Sequence, residues 1–144
     1  MKASTLAKTA LIYTVAALAS GVFFREFTKF NDFTGQTALG VTHVHLFVLG
    51  TVFFLVLAGL GLATNLLQQK RFKTFFVLHN IALPLCVVMF YVRGIVEVLG
   101  LSAPDAAIAG MAGLTHIALA VSLVLACLCV IKAVREREEQ IASR

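Results

Sequence analysis

Apolar and polar positions alternate along this chain in long blocks. Four apolar runs, residues 10–24, 41–67, 75–99 and 106–131, are separated by short polar connections. Crossing a bilayer core takes about 20 consecutive apolar residues. Backbone groups in hydrocarbon must be satisfied within their own segment, so each run predicts a helix rather than a strand. The expected helices cover about residues 7–28, 38–67, 73–99 and 103–134, in a single domain over 1–144 with a short charged C-terminal extension. Short connections make consecutive helices antiparallel neighbours. The expected fold is therefore all-α, an integral membrane four-helix bundle.

The connections carry their own punctuation. Residues 25–42 hold Phe27, Phe30 and Phe33 at spacing three, followed by Thr34-Gly35, which predicts an amphipathic turn in the outer interface. Ser102-Ala103-Pro104-Asp105 has the form of a capping box for the fourth helix. Pro84 inside the third run removes one backbone donor and is expected to kink that helix, freeing the carbonyl of Asn80. Residues 132–144 alternate in sign and predict a solvated helical extension. The first run, with Lys2 before it and Ala17-Leu18-Ala19 within it, also matches a signal peptide with its cleavage site; it is read here as a retained helix.

Composition sharpens this picture. The 144 residues are 60% hydrophobic and only 13% charged, with a formal net charge of +5. A soluble domain carries about 25% charged residues. Four spans put the N-terminus, the second connection and the tail on one side. That side holds Lys2, Lys8, Lys70, Arg71, Lys73, Lys132, Arg135, Arg137 and Arg144, against Arg25 and Lys29 on the other, with Arg93 inside the third run. Basic residues mark the cytoplasmic side, so both termini are expected to be cytoplasmic. The positive charge is thus a topology signal, and no nucleic-acid partner is expected. Cys86, Cys127 and Cys129 lie in apolar surroundings without a partner motif and are read as small core residues.

Polar groups at membrane depth are costly and so point to use. His43 and His45 fall just inside the outer end of the second helix, His79 near the inner end of the third, and His116 toward the outer half of the fourth. Arg93 and Glu97 are one turn apart and able to pair. Two residues apart on a helix is about 200°, so His43 and His45 face opposite sides and serve two different sites. Gly50, seven residues after His43, returns to the same face and leaves room for a flat group, with Phe47, Phe53 and Phe54 nearby. A haem meets these demands through an axial imidazole, an apolar ring and propionates at the interface, where Arg93 and Arg25 stand. A membrane histidine also commonly bonds a neighbouring helix, worth roughly 1 kcal/mol. For His79 and His116 that structural alternative stays open.

The segment Val41-Thr42-His43-Val44-His45-Leu46-Phe47-Val48-Leu49-Gly50-Thr51-Val52-Phe53 resembles the tenth helix of cytochrome c oxidase subunit I. In that family two histidines of this helix ligate two different haems. Gly21-Val22-Phe23-Phe24-Arg25-Glu26-Phe27 is similar to the end of the family's first helix, whose Arg meets the edge of the low-spin haem. The resemblance covers about a quarter of the chain and extends to small bacterial four-span proteins grouped with that subunit. It implies the cytoplasmic (inner) membrane of a bacterium. It also implies one of the oxidase's three four-helix arcs, so that a homotrimer rebuilds the twelve-helix ring. His43 of one protomer and His45 of the next would then be the axial ligands, with His45 and His116 of one protomer as the fallback pair. The copper site has no counterpart, since no His-His pair and no Tyr four residues after a His exist here.

The expected function is that of a b-type haem protein, bis-histidine and low-spin, moving electrons near the outer face between a donor and an acceptor the sequence does not identify. No Cys-x-x-Cys-His is present, so haem b held without a covalent bond is the expected cofactor, and no copper is expected. Two other classes compete: a haem-based redox or gas sensor, and a haem-free small transporter or assembly factor using His79, Arg93 and Glu97 as an ion path.

Overall fold

A computed structural model describes residues 1–102 and 105–143. It is all-helical, with four helices long and apolar enough to cross a membrane. They are α1 (Ala3–Phe30), α2 (Leu39–Ala63), α3 (Lys70–Leu99) and α4 (Asp105–Ala142). The Ser102–Asp105 capping box lies outside the described residues.

The boundaries differ from the hydropathy reading where apolar residues serve a turn. Leu66 and Leu67 are apolar and buried, yet they belong to a 3₁₀ turn, Leu66–Gln68. α2 ends before it because Thr64 is extended, with its hydroxyl folded back on the Leu60 carbonyl at 2.8 Å. α1 starts earlier than expected, at Ala3, where the amino group of Met1 donates to the Leu67 carbonyl at 2.8 Å and ties the N-terminus to that turn. It also runs on to Phe30, so the first connection is shorter than the predicted 25–42 segment. α3 runs unbroken through Pro84. The tail is helical as expected. Lys132–Glu136 and Arg135–Glu139 pair at 3.6 and 3.0 Å, one turn apart, on the extension of α4.

The helices pack in chain order, α1 on α2, α2 on α3 and α3 on α4, with no extensive packing between α1 and α4 among the described residues. The terminal helices show this in their buried residues. Among the described residues, α1 buries Leu6, Ala10, Tyr13, Ala17 and Ser20, and α4 buries Leu119, Ser122, Ala126, Cys129 and Ala133. Steps of three and four give one narrow stripe per helix, enough for a single neighbour. The backs of both helices expose large apolar side chains, among them Leu11, Ile12, Val15 and Leu18 on α1 and Ile117, Val121, Val124 and Leu128 on α4. Hydrocarbon is the solvent that tolerates such faces.

The core is aromatic in the half nearer the two termini. Phe54, Phe72 and Phe75 are fully buried, and Phe53, Phe54 and Phe75 enclose His79 at ring distances of 5.3–5.4 Å. Between Leu46 and Val52 the second helix widens into a π-helical turn. Such a turn departs from the regular helical ladder, and here the Leu49 carbonyl accepts from Nε2 of His79 at 3.1 Å. Nδ1 of the same ring meets the Ser122 hydroxyl on α4 at 2.9 Å. His79 thus joins α2, α3 and α4 as a core group, the structural one of its two sequence readings.

Candidate functional site

α2 divides the sequence candidates between its two sides, as the His-x-His spacing requires. His43, Gly50 and Arg25 belong to the side of α1. His45, Arg93 and His116 belong to the side of α3 and α4.

On the α1 side, the His43 ring stacks on Phe24 at 6.4 Å and an interplanar angle of 16°. Gly21 lies against it, where an added Cβ would sit 3.8 Å from the imidazole. Nδ1 of His43 is buried without a hydrogen-bond partner. One face-repeat along, Gly50 does make room for a flat group, but that group is Tyr13. A Cβ at Gly50 would fall 2.4–2.7 Å from the Tyr13 side chain. Tyr13 stacks on Phe54 at 5.9 Å and donates its hydroxyl to Asn80 Oδ1 at 3.0 Å. The space read from sequence as a cofactor cradle is filled by the protein's own ring. Arg25, one residue beyond Phe24, is exposed and paired with Glu26 at 2.7 Å.

On the other side, His45 and His116 both stand against Phe90. His45 meets it edge-on at 4.7 Å and His116 at 5.5 Å, at 62° and 75°. Each imidazole holds its Nδ1 against the carbonyl one turn earlier, Val41 at 2.9 Å and Ala112 at 2.8 Å. A carbonyl only accepts, so Nδ1 carries the hydrogen in both rings. The lone pair of the neutral ring is then on Nε2, the arrangement in which a backbone carbonyl fixes a metal-ligating histidine. The Cys86 sulfur lies 3.7–3.8 Å from both nitrogens of His116. Similar distances to both, with Nδ1 already engaged, make this a packing contact.

Arg93, three residues beyond Phe90, pairs with Glu97 at 2.9 Å, as its position predicts. Glu97 has a further task that the sequence did not disclose. Its Oε2 accepts the Ala38 amide at 2.7 Å and so caps α2 from α3. Gly94 lets that junction close. A Cβ there would sit 2.6 Å from the Leu39 backbone nitrogen, and the Thr37 hydroxyl donates to the Gly94 carbonyl at 3.1 Å. A cavity of about 250 Å³ lies between Arg93, Val96, Glu97, Ile108 and Ala109 at this end of α3 and α4.

For an iron porphyrin, the donor chemistry fits on the His45 side: two imidazoles, on α2 and α4, each with Nδ1 bonded to its own helix and both against Phe90 of α3, with Arg93 one turn along α3 from that ring. Both imidazoles are in contact with Phe90, so a macrocycle seated on either one displaces that side chain. Among the described residues, no cluster of three or more His, Cys, Asp or Glu side chains forms a site for a bare metal ion.

Phe90 was not singled out in the sequence, and Cys86 was read only as a small core residue, although Cys86, Phe90, Arg93 and Glu97 follow one another at steps of four, three and four on one face of α3. That spacing was the available signal.

Fold and site together describe an all-helical chain with four helices apolar enough to cross a membrane and a polar face formed by α2, α3 and α4, on which Arg93 and His116 are exposed. It belongs to the family described as "Protein of unknown function (DUF2871)", whose model matches residues 1–133. No curated protein and no solved structure matches the chain.

Proposed function

We propose that this chain is a multi-pass membrane protein of the bacterial inner membrane, with both termini cytoplasmic, that holds a low-spin b-type haem for electron transfer. The observation that carries the proposal is the shared state of His45 and His116: both anchor Nδ1 on their own helix, both leave Nε2 as the ligating atom, and both face the same aromatic ring. The haem, held by His45 and His116, would supply a one-electron couple suited to electron transfer. The chain's own residues do the rest. The Val41 and Ala112 carbonyls fix the tautomer and aim of each imidazole. Arg93 offers a cation to propionates at the end of α3, while Glu97 holds that arginine in place.

A second ligand arrangement has its own support. Nδ1 of His43 is buried and unpartnered, and the backs of α1 and α4 are unpartnered apolar faces. In a homotrimer, His43 of one protomer and His45 of the next would share a haem, at the cost of moving Phe24 from the His43 ring.

The test is the visible spectrum, oxidised and reduced, of the detergent-purified protein and of His45→Ala, His116→Ala and His43→Ala made separately, after expression with sufficient haem. Sharp low-spin bands lost in His45→Ala and His116→Ala but kept in His43→Ala support the pair within one chain. Bands lost in His45→Ala and His43→Ala, with the mass of a trimer, support the shared pair. A colourless wild-type protein refutes haem binding and leaves a transporter or assembly factor.

A further inference from the structure

The end of the bundle that carries the two termini holds a site unrelated to the histidines. Gln69, Lys70, Arg71 and Lys132 line a cavity of about 390 Å³ between the start of α3 and the lower part of α4. Gln69 closes its base by donating its side-chain amide to the Cys129 carbonyl at 3.1 Å. Three cations surround the opening. Lys132 pairs with Glu136 at 3.6 Å, and the other oxygen of that carboxylate accepts from Asn65.

Lys70 also belongs to a second cavity. This one, of about 500 Å³, runs along the exposed face of α3 past Lys73, Thr74, Val77 and Leu78 to Ile81. Val77 and Ile81 are half exposed on this face. Lys70 to Ile81 is eleven residues, a rise of about 16 Å. Half of a bilayer's hydrocarbon core is about 15 Å deep. A cationic pocket that shares Lys70 with a surface groove ending in Val77, Leu78 and Ile81 has the polarity of a single phospholipid, charged at one end and apolar at the other.

We propose that this is a binding site for an anionic phospholipid of the leaflet on the side of the termini, its phosphate among Lys70, Arg71 and Lys132 and one acyl chain along Val77 and Ile81. Basic pockets between helices on this side of a membrane hold anionic headgroups, and each lysine or arginine near such a surface contributes an affinity factor of about five. The site goes beyond the haem proposal and does not depend on it.

The experiment uses the full-length protein, exchanged into bilayer discs of phosphatidylcholine with or without phosphatidylglycerol, then released for native mass spectrometry. Wild type is expected to keep one phosphatidylglycerol per chain and no phosphatidylcholine. Lys70→Gln/Arg71→Gln/Lys132→Gln is expected to retain it more than tenfold more weakly. Ile81→Trp, which fills the groove and leaves every charge in place, should also lose it. Lys2→Gln/Lys8→Gln, which removes charge from the same side outside the pocket, should not. Circular dichroism of each variant confirms that the helices persist. Equal retention of phosphatidylcholine, equal loss in the Lys2/Lys8 variant, retention by the triple variant, or displacement of the lipid by millimolar inorganic phosphate would each overturn the proposal.

Discussion

Replacing His79 tests the packing of three helices at once. The ring is fully buried and makes two hydrogen bonds, to Leu49 O at 3.1 Å and to the Ser122 hydroxyl at 2.9 Å. Leu49 O can only accept, so neutral His79 donates from Nε2 and accepts at Nδ1. The single hydroxyl hydrogen of Ser122 then lies within reach of both Nδ1 and the Leu119 carbonyl at 2.7 Å. Hydrogen bonds between membrane helices average about 0.6 kcal/mol and reach about 1.7. Two of them, lost in His79→Phe while the aromatic cage stays filled, should cost roughly 1–3 kcal/mol. His79→Ala loses the same bonds and also empties a ring-sized space between Phe53, Phe54 and Phe75, adding about 2 kcal/mol for the cavity. Reversible unfolding in mixed detergent micelles, followed by circular dichroism, gives both values. Ser122→Ala combined with His79→Phe should cost less than the sum of the two singles, because they share one bond. If His79→Phe stays within 0.3 kcal/mol of wild type, the three-helix bridge contributes nothing and the reasoning fails.

Three further outcomes follow from close contacts at the site. Gly50→Ala places a methyl group 2.4–2.7 Å from Tyr13, which should destabilise the fold by about 1–3 kcal/mol in the same unfolding assay. Tyr13→Ala should not restore it fully, since the Tyr13 Cβ is itself 2.5 Å from the added atom. Glu97→Ala removes the cap on the Ala38 amide and the partner of Arg93, and should cost about 1 kcal/mol, with faster amide exchange confined to the first turn of α2. Phe90→Ala should raise the fraction of chains that load haem and Phe90→Trp should lower it, read from the low-spin band against protein absorbance; no change in either direction would separate the haem from the His45–His116 interval.

Four helical spans were legible because hydrocarbon imposes one requirement on every residue of a segment, and a run of apolar residues states it without reference to any partner. The opposite headings of His43 and His45 were legible for a similar reason, since they follow from the pitch of one helix. The identity of what each histidine meets depends on how far one helix slides along the next. That register is set by pairs such as Gly50 with Tyr13 and Gly94 with Leu39, and neither member of such a pair announces the other. A glycine reports that something comes close. It does not say whether a cofactor or a neighbouring aromatic ring arrives.

The same distinction bears on the haem reading. At each place where the sequence calls for a flat apolar group, the chain supplies one of its own: Tyr13 at Gly50, Phe24 at His43, and Phe90 between His45 and His116. Tyr13 is held by Phe54 and Asn80 inside the core, and its removal would open the α1–α2 interface. Phe90 is half-buried, beside two imidazoles already fixed in the ligating tautomer, and Phe24 is half-buried beside one with an unpartnered nitrogen. Admitting a macrocycle therefore costs more at Gly50 than beside either histidine. Gly50, read in the sequence as room for a flat group, is the least able to receive one, while His43 and His45 each stand against one half-buried ring, Phe24 or Phe90.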